Sequence, residues 1–366
     1  MAAGTKKQKR SSAFLINGVL VLICLIWLIP TMGVLVTSFR ESQDIFNSGW
    51  WAIFPHREDV ETERFKLDES INVDEAFEVE GIETTFKELQ EGLELEDGRK
   101  LTWFGNKRTR EIVITERKWV GFSTNLTISN YKDVLTGKDI KFTDGGGNEI
   151  VRRGNNLGGA FLNSIAVTIP ATVIPILIAA FAAFGFSWLK FPGRDILFTL
   201  IVAVLVVPLQ ISLVPILQDY TKMQLNGTFL GIWLAHTGFG LPLATYLLFN
   251  YISSLPKELL EAAYIDGASN FTILTKLIIP LSVPALASFA IFQFLWVWND
   301  YLVSLVFLGE KTRVVTYALA SIVGEKGQDW HLLTAGAFVS MILPMMVFFL
   351  LQRYFVRGMM AGSVKG

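Results

Sequence analysis

The chain has 366 residues, with 32 Lys and Arg against 33 Asp and Glu, and its net charge of −1 offers no basic field to hold nucleic acid. Hydrophobic residues make up 51% and charged residues only 18%, with a mean hydropathy of +0.44, which excludes an ordinary soluble enzyme and points to a membrane protein. A lone cysteine, Cys24, excludes an intrachain disulfide framework and a Cys-rich metal site, and His56, His236 and His331 lie far apart in sequence.

Basic residues Lys6, Lys7, Lys9 and Arg10 open the chain and precede an apolar run with no convincing cleavage site, which reads as an uncleaved anchor. Apolar windows of about 20 residues, enough to cross a hydrocarbon core of roughly 30 Å, fall at 14–38, 160–188, 196–217, 229–252, 283–307 and 332–355. Six spans are predicted. Lys190 and Arg194, and Arg353, Arg357 and Lys365, join the N-terminal cluster in placing both termini and the 253–276 segment in the cytoplasm, with 218–228 and 309–331 outside.

The predicted layout is a cytoplasmic tail at 1–13, a first transmembrane helix at 14–40, an inserted extracytoplasmic domain at 41–158, a five-helix core at 159–355 and a cytoplasmic tail at 356–366. The insert has the charge density of a soluble protein. Its alternating run from Arg110 to Thr115 is a strand signal, and Gly145-Gly146-Gly147 marks a turn before the chain returns to the membrane. The fold class is therefore an all-α polytopic membrane protein with an inserted β-rich or α+β domain.

Five of the six windows contain no Asp, Glu, Lys or Arg over 14–39, 160–188, 196–217, 229–252 and 332–352. An ion-coupled carrier keeps ionisable groups or broken helices near the midplane, and here only Asp300, beside Asn299, falls within an apolar run. Asp300 reads either as an interfacial cap or as part of a gate. Trp296 and Trp298 read either as an interfacial belt or as sugar-stacking faces. No Gly-x-x-x-x-Gly-Lys-Ser/Thr loop occurs, so the chain is not expected to hydrolyse ATP. Prolines are frequent inside the windows, and each requires a neighbouring helix or cavity water to satisfy the carbonyl that it frees.

The loop at 254–280 carries the most specific pattern. Pro256 opens a short helix through Glu261, Ala262, Ala263 and Asp266, Gly267 ends it, and Ser269 or Asn270 can cap a second helix from Phe271 to Ile279 before Pro280. The product is a helix, tight turn, helix projection with a small-residue face, suited to a groove on another protein or else a solvated loop helix. Its run EAAYIDGASNFTILTKLIIPLSVPA at 261–285 resembles the EAA loop of ABC-importer permeases. Asn130-Tyr131, Asn163-Ser164, Lys190-Phe191-Pro192-Gly193-Arg194, Trp298-Asn299-Asp300 and the C-terminal Gly362 to Gly366 resemble the carbohydrate branch, specifically the smaller permease of maltose-type and α-glucoside importers. The insert after Phe54 is longer than in the maltose type and is similar to the α-glucoside layout.

That resemblance implies a type I ABC importer permease in a bacterial or archaeal plasma membrane. It implies a homologous second permease, two cytoplasmic ATPase subunits that carry ATP and Mg, an extracytoplasmic sugar-binding protein, and no cofactor on this chain. It further implies that Glu261, Ala262, Ala263, Asp266 and Gly267 couple to the ATPase, that Gly362, Ser363, Val364, Lys365 and Gly366 contact it, and that Trp296, Trp298, Asn299 and Asp300 border a substrate path. An ion-coupled secondary carrier and a membrane-anchored interaction protein are the alternatives from other classes.

Overall fold

The computed structural model describes residues 2–122, 125–137, 140–143, 149–152, 154, 156–322 and 329–361; the triglycine turn at 145–147 and the tail at 362–366 lie outside them. Two compact units divide the chain, Met1–Val36 with Gln43–Thr127 and Thr37–Ser42 with Ile128–Gly366.

In the first unit, α1 (Ala2–Ser38) is apolar on every side over its spanning part, as a helix surrounded by lipid must be. Gly33 makes room for an indole: a Cβ there would lie 2.8 Å from Nε1 of Trp50. A short α2 (Ser42–Asn47) follows. Strands β1 (His56–Lys66), β2 (Phe77–Val79) and β3 (Ile82–Thr84) lead to helix α3 (Phe86–Glu91), then β4 (Leu93–Glu94), β5 (Arg99–Phe104) and β6 (Glu111–Val120). The antiparallel order β1-β6-β5-β4 makes one sheet, with a bulge in β1 between Glu61 and Glu63, and β2-β3 is a separate hairpin.

The alternation predicted around 110–115 places Ile112 and Ile114 inward on β6, where they pack with Leu101, Trp103, Leu89 and Phe77. Thr85 and Glu88 form a reciprocal capping box on α3, with Thr85 N–H donating to the Glu88 carboxylate at 2.9 Å. That backbone donor, with the Thr84 hydroxyl, holds the Glu88 carboxyl below its ordinary value.

The second unit opens with α4 (Ser129–Thr136), then a hairpin of β7 (Ile140–Thr143) and β8 (Glu149–Arg152). Long helices follow: α5 (Leu157–Trp188), α6 (Arg194–Val204), α7 (Leu209–Lys222) and α8 (Phe229–Ser253). The next segments are α9 (Lys257–Ile265), α10 (Asn270–Ile273), a π-turn over Leu274–Ile278, and α11 (Ile279–Leu281). Last come α12 (Val283–Trp298), α13 (Leu302–Phe307), α14 (Val315–Ile322) and α15 (Trp330–Ala361). Three contiguous cores hold this unit. One joins the C-terminal ends of α5 and α8 to the 257–281 segment, one joins α4, α5, α12, α14 and α15, and one joins α5, α7, α8 and α13.

Four stretches are long and apolar enough to cross a membrane, Ala13–Ser38, Leu157–Trp188, Phe229–Ser253 and Trp330–Tyr354. The count among the described residues reaches six if each bent pair is one span: α6 with α7, at 101°, and α10–α11 with α12, at 72°. Two predicted windows thus differ from straight spans. The 196–217 window breaks at 205–208, where Pro208 has extended backbone and no N–H to continue the ladder. The 283–307 window divides into α12 and α13, because Asn299-Asp300 intervenes and the Asp300 carboxylate caps the second piece. The helix predicted over 271–279 widens into the π-turn, and the chain bends at Ser282 rather than at Pro280.

Three proline-freed carbonyls find donors on neighbouring helices. Pro170 removes the helical donor to Ala166, whose carbonyl accepts instead from Trp233 Nε1 at 2.9 Å. Pro175 does the same to Ala171, served by Gln293 Nε2 at 3.2 Å, and Pro344 to Ser340, served by Trp298 Nε1 at 3.0 Å. The Asn and Ser positions singled out in the sequence also act as ties. Asn130 Nδ2 donates to the Ser38 and Arg40 carbonyls at 2.9 and 2.8 Å. Asn163 Nδ2 donates to the Arg313 carbonyl at 3.0 Å, and Ser164 Oγ accepts from Val315 N–H at 2.7 Å.

Candidate functional site

The 254–280 segment is a knob welded at its base. Pro256 sets extended backbone before α9, and Leu260, one turn in, is buried with Ile252, Phe184, Ile273 and Ile278. The base contributes on the order of 2 kcal/mol per fully buried aliphatic side chain, which ties the segment to the C-terminal ends of α5 and α8.

Its tip projects from the bundle, tied by a hydrogen bond from Tyr264 Oη to Asn270 Oδ1 at 2.9 Å. Glu261, Ala262, Tyr264, Ile265, Asp266 and Gly267 are exposed, while Ala263 packs half-buried on the core beneath. Ile265, 86% exposed, is a large apolar side chain held out from the fold. The turn is a Schellman motif: Ala268 N–H donates to the Ala263 carbonyl and Gly267 N–H to the Tyr264 carbonyl, both at 3.0 Å, with Gly267 at φ +77°. Ser269 then caps α10, its Oγ accepting from Thr272 N–H at 3.2 Å.

The four candidate path residues occupy different environments at the other end of α12. Trp298 is 3% exposed; Phe161 meets it edge-on and Phe294 stacks on it, while its indole N–H is given to α15. Asn299 is exposed and donates to the Leu295 carbonyl at 2.8 Å. Asp300 accepts from the N–H groups of Val303 and Ser304 at 3.2 and 2.9 Å and from the Ser304 hydroxyl at 3.0 Å. Trp296 lines a groove of about 440 Å³ together with Tyr220, Ser212, Gly238, Phe239 and Pro242.

One neighbour had no signal in the sequence. His236 is fully buried, edge-on to Trp296 at 5.8 Å between centroids, with Nε2 at 3.8 Å from Asp300 Oδ2 and neither ring nitrogen hydrogen-bonded among the described residues. It lies 64 positions before Asp300, on a different helix, so spacing along the chain could not pair them. Among the described residues no cluster of three or more His, Cys, Asp or Glu side chains could hold a metal ion. The arrangement is an exposed knob at one end of the bundle and, nearer the other, a largely apolar groove whose polar groups come from Ser212, Tyr220 and Trp296.

Comparison with known proteins agrees with this reading. The osmoprotective compounds uptake permease of Synechocystis is 46% identical over 94% of this chain and 89% of its own length. The alpha-glucoside transport system permease of Rhizobium meliloti is 44% identical over 94% of this chain and 95% of its own length. A Bacillus subtilis melibiose/raffinose/stachyose import permease is 33% identical over 58% of this chain and 77% of its own length. Residues 163–361 match the model of the binding-protein-dependent transport system inner membrane components, and the chain belongs to that family.

Proposed function

We propose that this chain is one of two permease subunits of an ATP-driven importer for α-glucosides or related maltose- or trehalose-like sugars. The observation that carries the proposal is the exposed, Schellman-terminated knob from Glu261 to Gly267, rooted by Leu260 in the bundle. A cytoplasmic ATPase subunit receives the knob in a cleft: Glu261 and Asp266 make polar contacts, Ala262 permits close approach while Ala263 seats α9 on its base, and Ile265 is covered. The second permease completes the path, and an extracytoplasmic binding protein delivers the sugar. The 44% identity to an alpha-glucoside system permease supports the substrate class.

In this reading each bent helix pair is one span, giving six, and both termini are cytoplasmic. The 41–158 insert is extracytoplasmic and meets the binding protein. ATP and Mg reside on the ATPase subunits. The 362–366 tail reaches their interface, and Trp296 is the path residue best placed to stack on a sugar ring. Nucleotide must favour one arrangement of the permeases over the other, and shifting a balance from roughly 1:99 to 99:1 takes about 5.5 kcal/mol, which tight ATP binding can supply.

The test is to purify the tagged chain from its own membranes, identify its partners by mass spectrometry, and assay ATP-dependent uptake of a maltose and trehalose panel in proteoliposomes. A copurifying P-loop ATPase and second permease are expected, with the ATPase but not the second permease lost on Glu261→Lys. Isolation of the chain alone, or retention of the ATPase by that variant, overturns the coupling assignment.

A further inference from the structure

A proline in a transmembrane helix leaves the carbonyl four residues earlier without its helical donor, in surroundings that offer no water to replace it. In α5 and α15 three such carbonyls, those of Ala166, Ala171 and Ser340, are each met by a side-chain N–H from another helix. The donors are Trp233 on α8 and Gln293 and Trp298 on α12.

Gln293 is 1% exposed, and its amide lies against Gly240 of α8, so the donor sits where three helices meet. A fourth tie, from Tyr251 Oη on α8 to the Leu281 carbonyl at 3.1 Å, reaches the bend from which α12 emerges. The helix that bears two of the donors is thus the direct continuation of the 257–281 knob segment.

We infer that Trp233, Gln293 and Trp298 are positioning residues for transport: each replaces the donor that a proline removes from a neighbouring helix, and together they join α5, α8, α12 and α15 into one block. Displacement of the knob then reaches the outer half of the bundle as motion of that block, instead of being absorbed by flexing at the proline kinks. Without the cross-helix donor, a freed carbonyl is a local defect at which the kink angle is no longer fixed. This role depends on the importer reading above for its readout.

The test is a set of matched suppressors in the assembled importer. Replacing Pro175 with Ala restores the helical N–H to the Ala171 carbonyl, so the P175A substitution should make the Gln293 donor dispensable. Gln293→Met keeps side-chain length and removes the donor. It is expected to lower uptake about tenfold, the scale set by one buried carbonyl left unsatisfied, and to raise the ATP hydrolysed per sugar imported. Adding P175A should return both to within about twofold of the parent, while P344A should not. The reciprocal pair is Trp298→Phe with P344A, which keeps a ring in place and loses only the indole N–H and part of its area.

Pair-specific rescue of the coupling ratio is the expected result. Additive losses in both matched doubles, or equal rescue by matched and unmatched prolines, overturn the inference. So does failure of Trp298→Phe to assemble that P344A does not restore. Failure of the importer reading is visible separately, as absence of ATP-dependent uptake by the unsubstituted complex.

Discussion

A Cβ placed on Gly240 would lie 2.6 Å from Nε2 of Gln293 and 2.7 Å from its Oε1, so the glycine on α8 holds open the space in which the α12 amide reaches α5. Gly240→Ala should push that amide off the Ala171 carbonyl, combining overpacking with a lost hydrogen bond for about 2 kcal/mol of destabilisation. Gly238→Ala, two residues away, meets nothing within 4 Å and should be neutral or slightly stabilising through helix propensity. Thermal unfolding of the two variants in one detergent checks this, and equal melting temperatures would remove Gly240 from that role.

These two glycines also mark where the sequence stops being informative. Continuous apolar runs reveal α5, α8 and α15 because lipid-facing and core-facing positions are both apolar. The Gly267 turn is legible because a helix followed by Gly, Ala and Ser is a local signal. Gln293 is a single amide in an apolar run, and its acceptor is 122 residues away. Likewise the apolar run at 196–217 reads as one span, and nothing local in it encodes the 101° bend between α6 and α7. His236 and Asp300 become neighbours only through the packing of α8 beside α12 and α13. Pairings across helices depend on tertiary packing that periodicity does not encode.

Asn130 is 3% exposed and spends both amide hydrogens on carbonyls, those of Ser38 and Arg40. Asn130→Ala should destabilise by about 2 kcal/mol through loss of both bonds. Asn130→Asp should be worse, since an ionised carboxylate cannot donate and would face two carbonyl oxygens. Unfolding in detergent ranks the three proteins, and an Asp variant more stable than the Ala variant would contradict the hydrogen-bond assignment.

The capping box on α3 carries a pH dependence of defined sign. Because the Thr85 N–H holds the Glu88 carboxyl below its ordinary value, the folded form binds its proton less readily than the unfolded one. Its stabilisation is complete above the ordinary carboxylate range and is lost as pH falls through the depressed value. Amide hydrogen exchange of the 85–92 segment, corrected for intrinsic rates, should therefore quicken on acidification in the parent chain. Glu88→Gln, which has no charge to lose, should flatten that dependence.

Gly267 offers the cleanest separation of backbone from packing, since φ is +77° and a Cβ there would meet nothing within 4 Å. Any cost of substitution is backbone strain: about 1 kcal/mol or somewhat more for Ala, greater for a β-branched residue, and least for Asn, which tolerates the left-handed region. If the turn merely closes a loop, uptake should be indifferent to the series so long as the protein folds. If the tip must present α9 at a fixed angle to an ATPase cleft, uptake per ATP should fall in the order Gly, Asn, Ala, Val. The strain sits at an exposed tip while Leu260 and Ile273 remain buried beneath it, so the bundle should melt at nearly the same temperature throughout. Loss of coupling along that series at constant melting temperature is the expected outcome; full coupling by Gly267→Val would exclude a docking role for the turn.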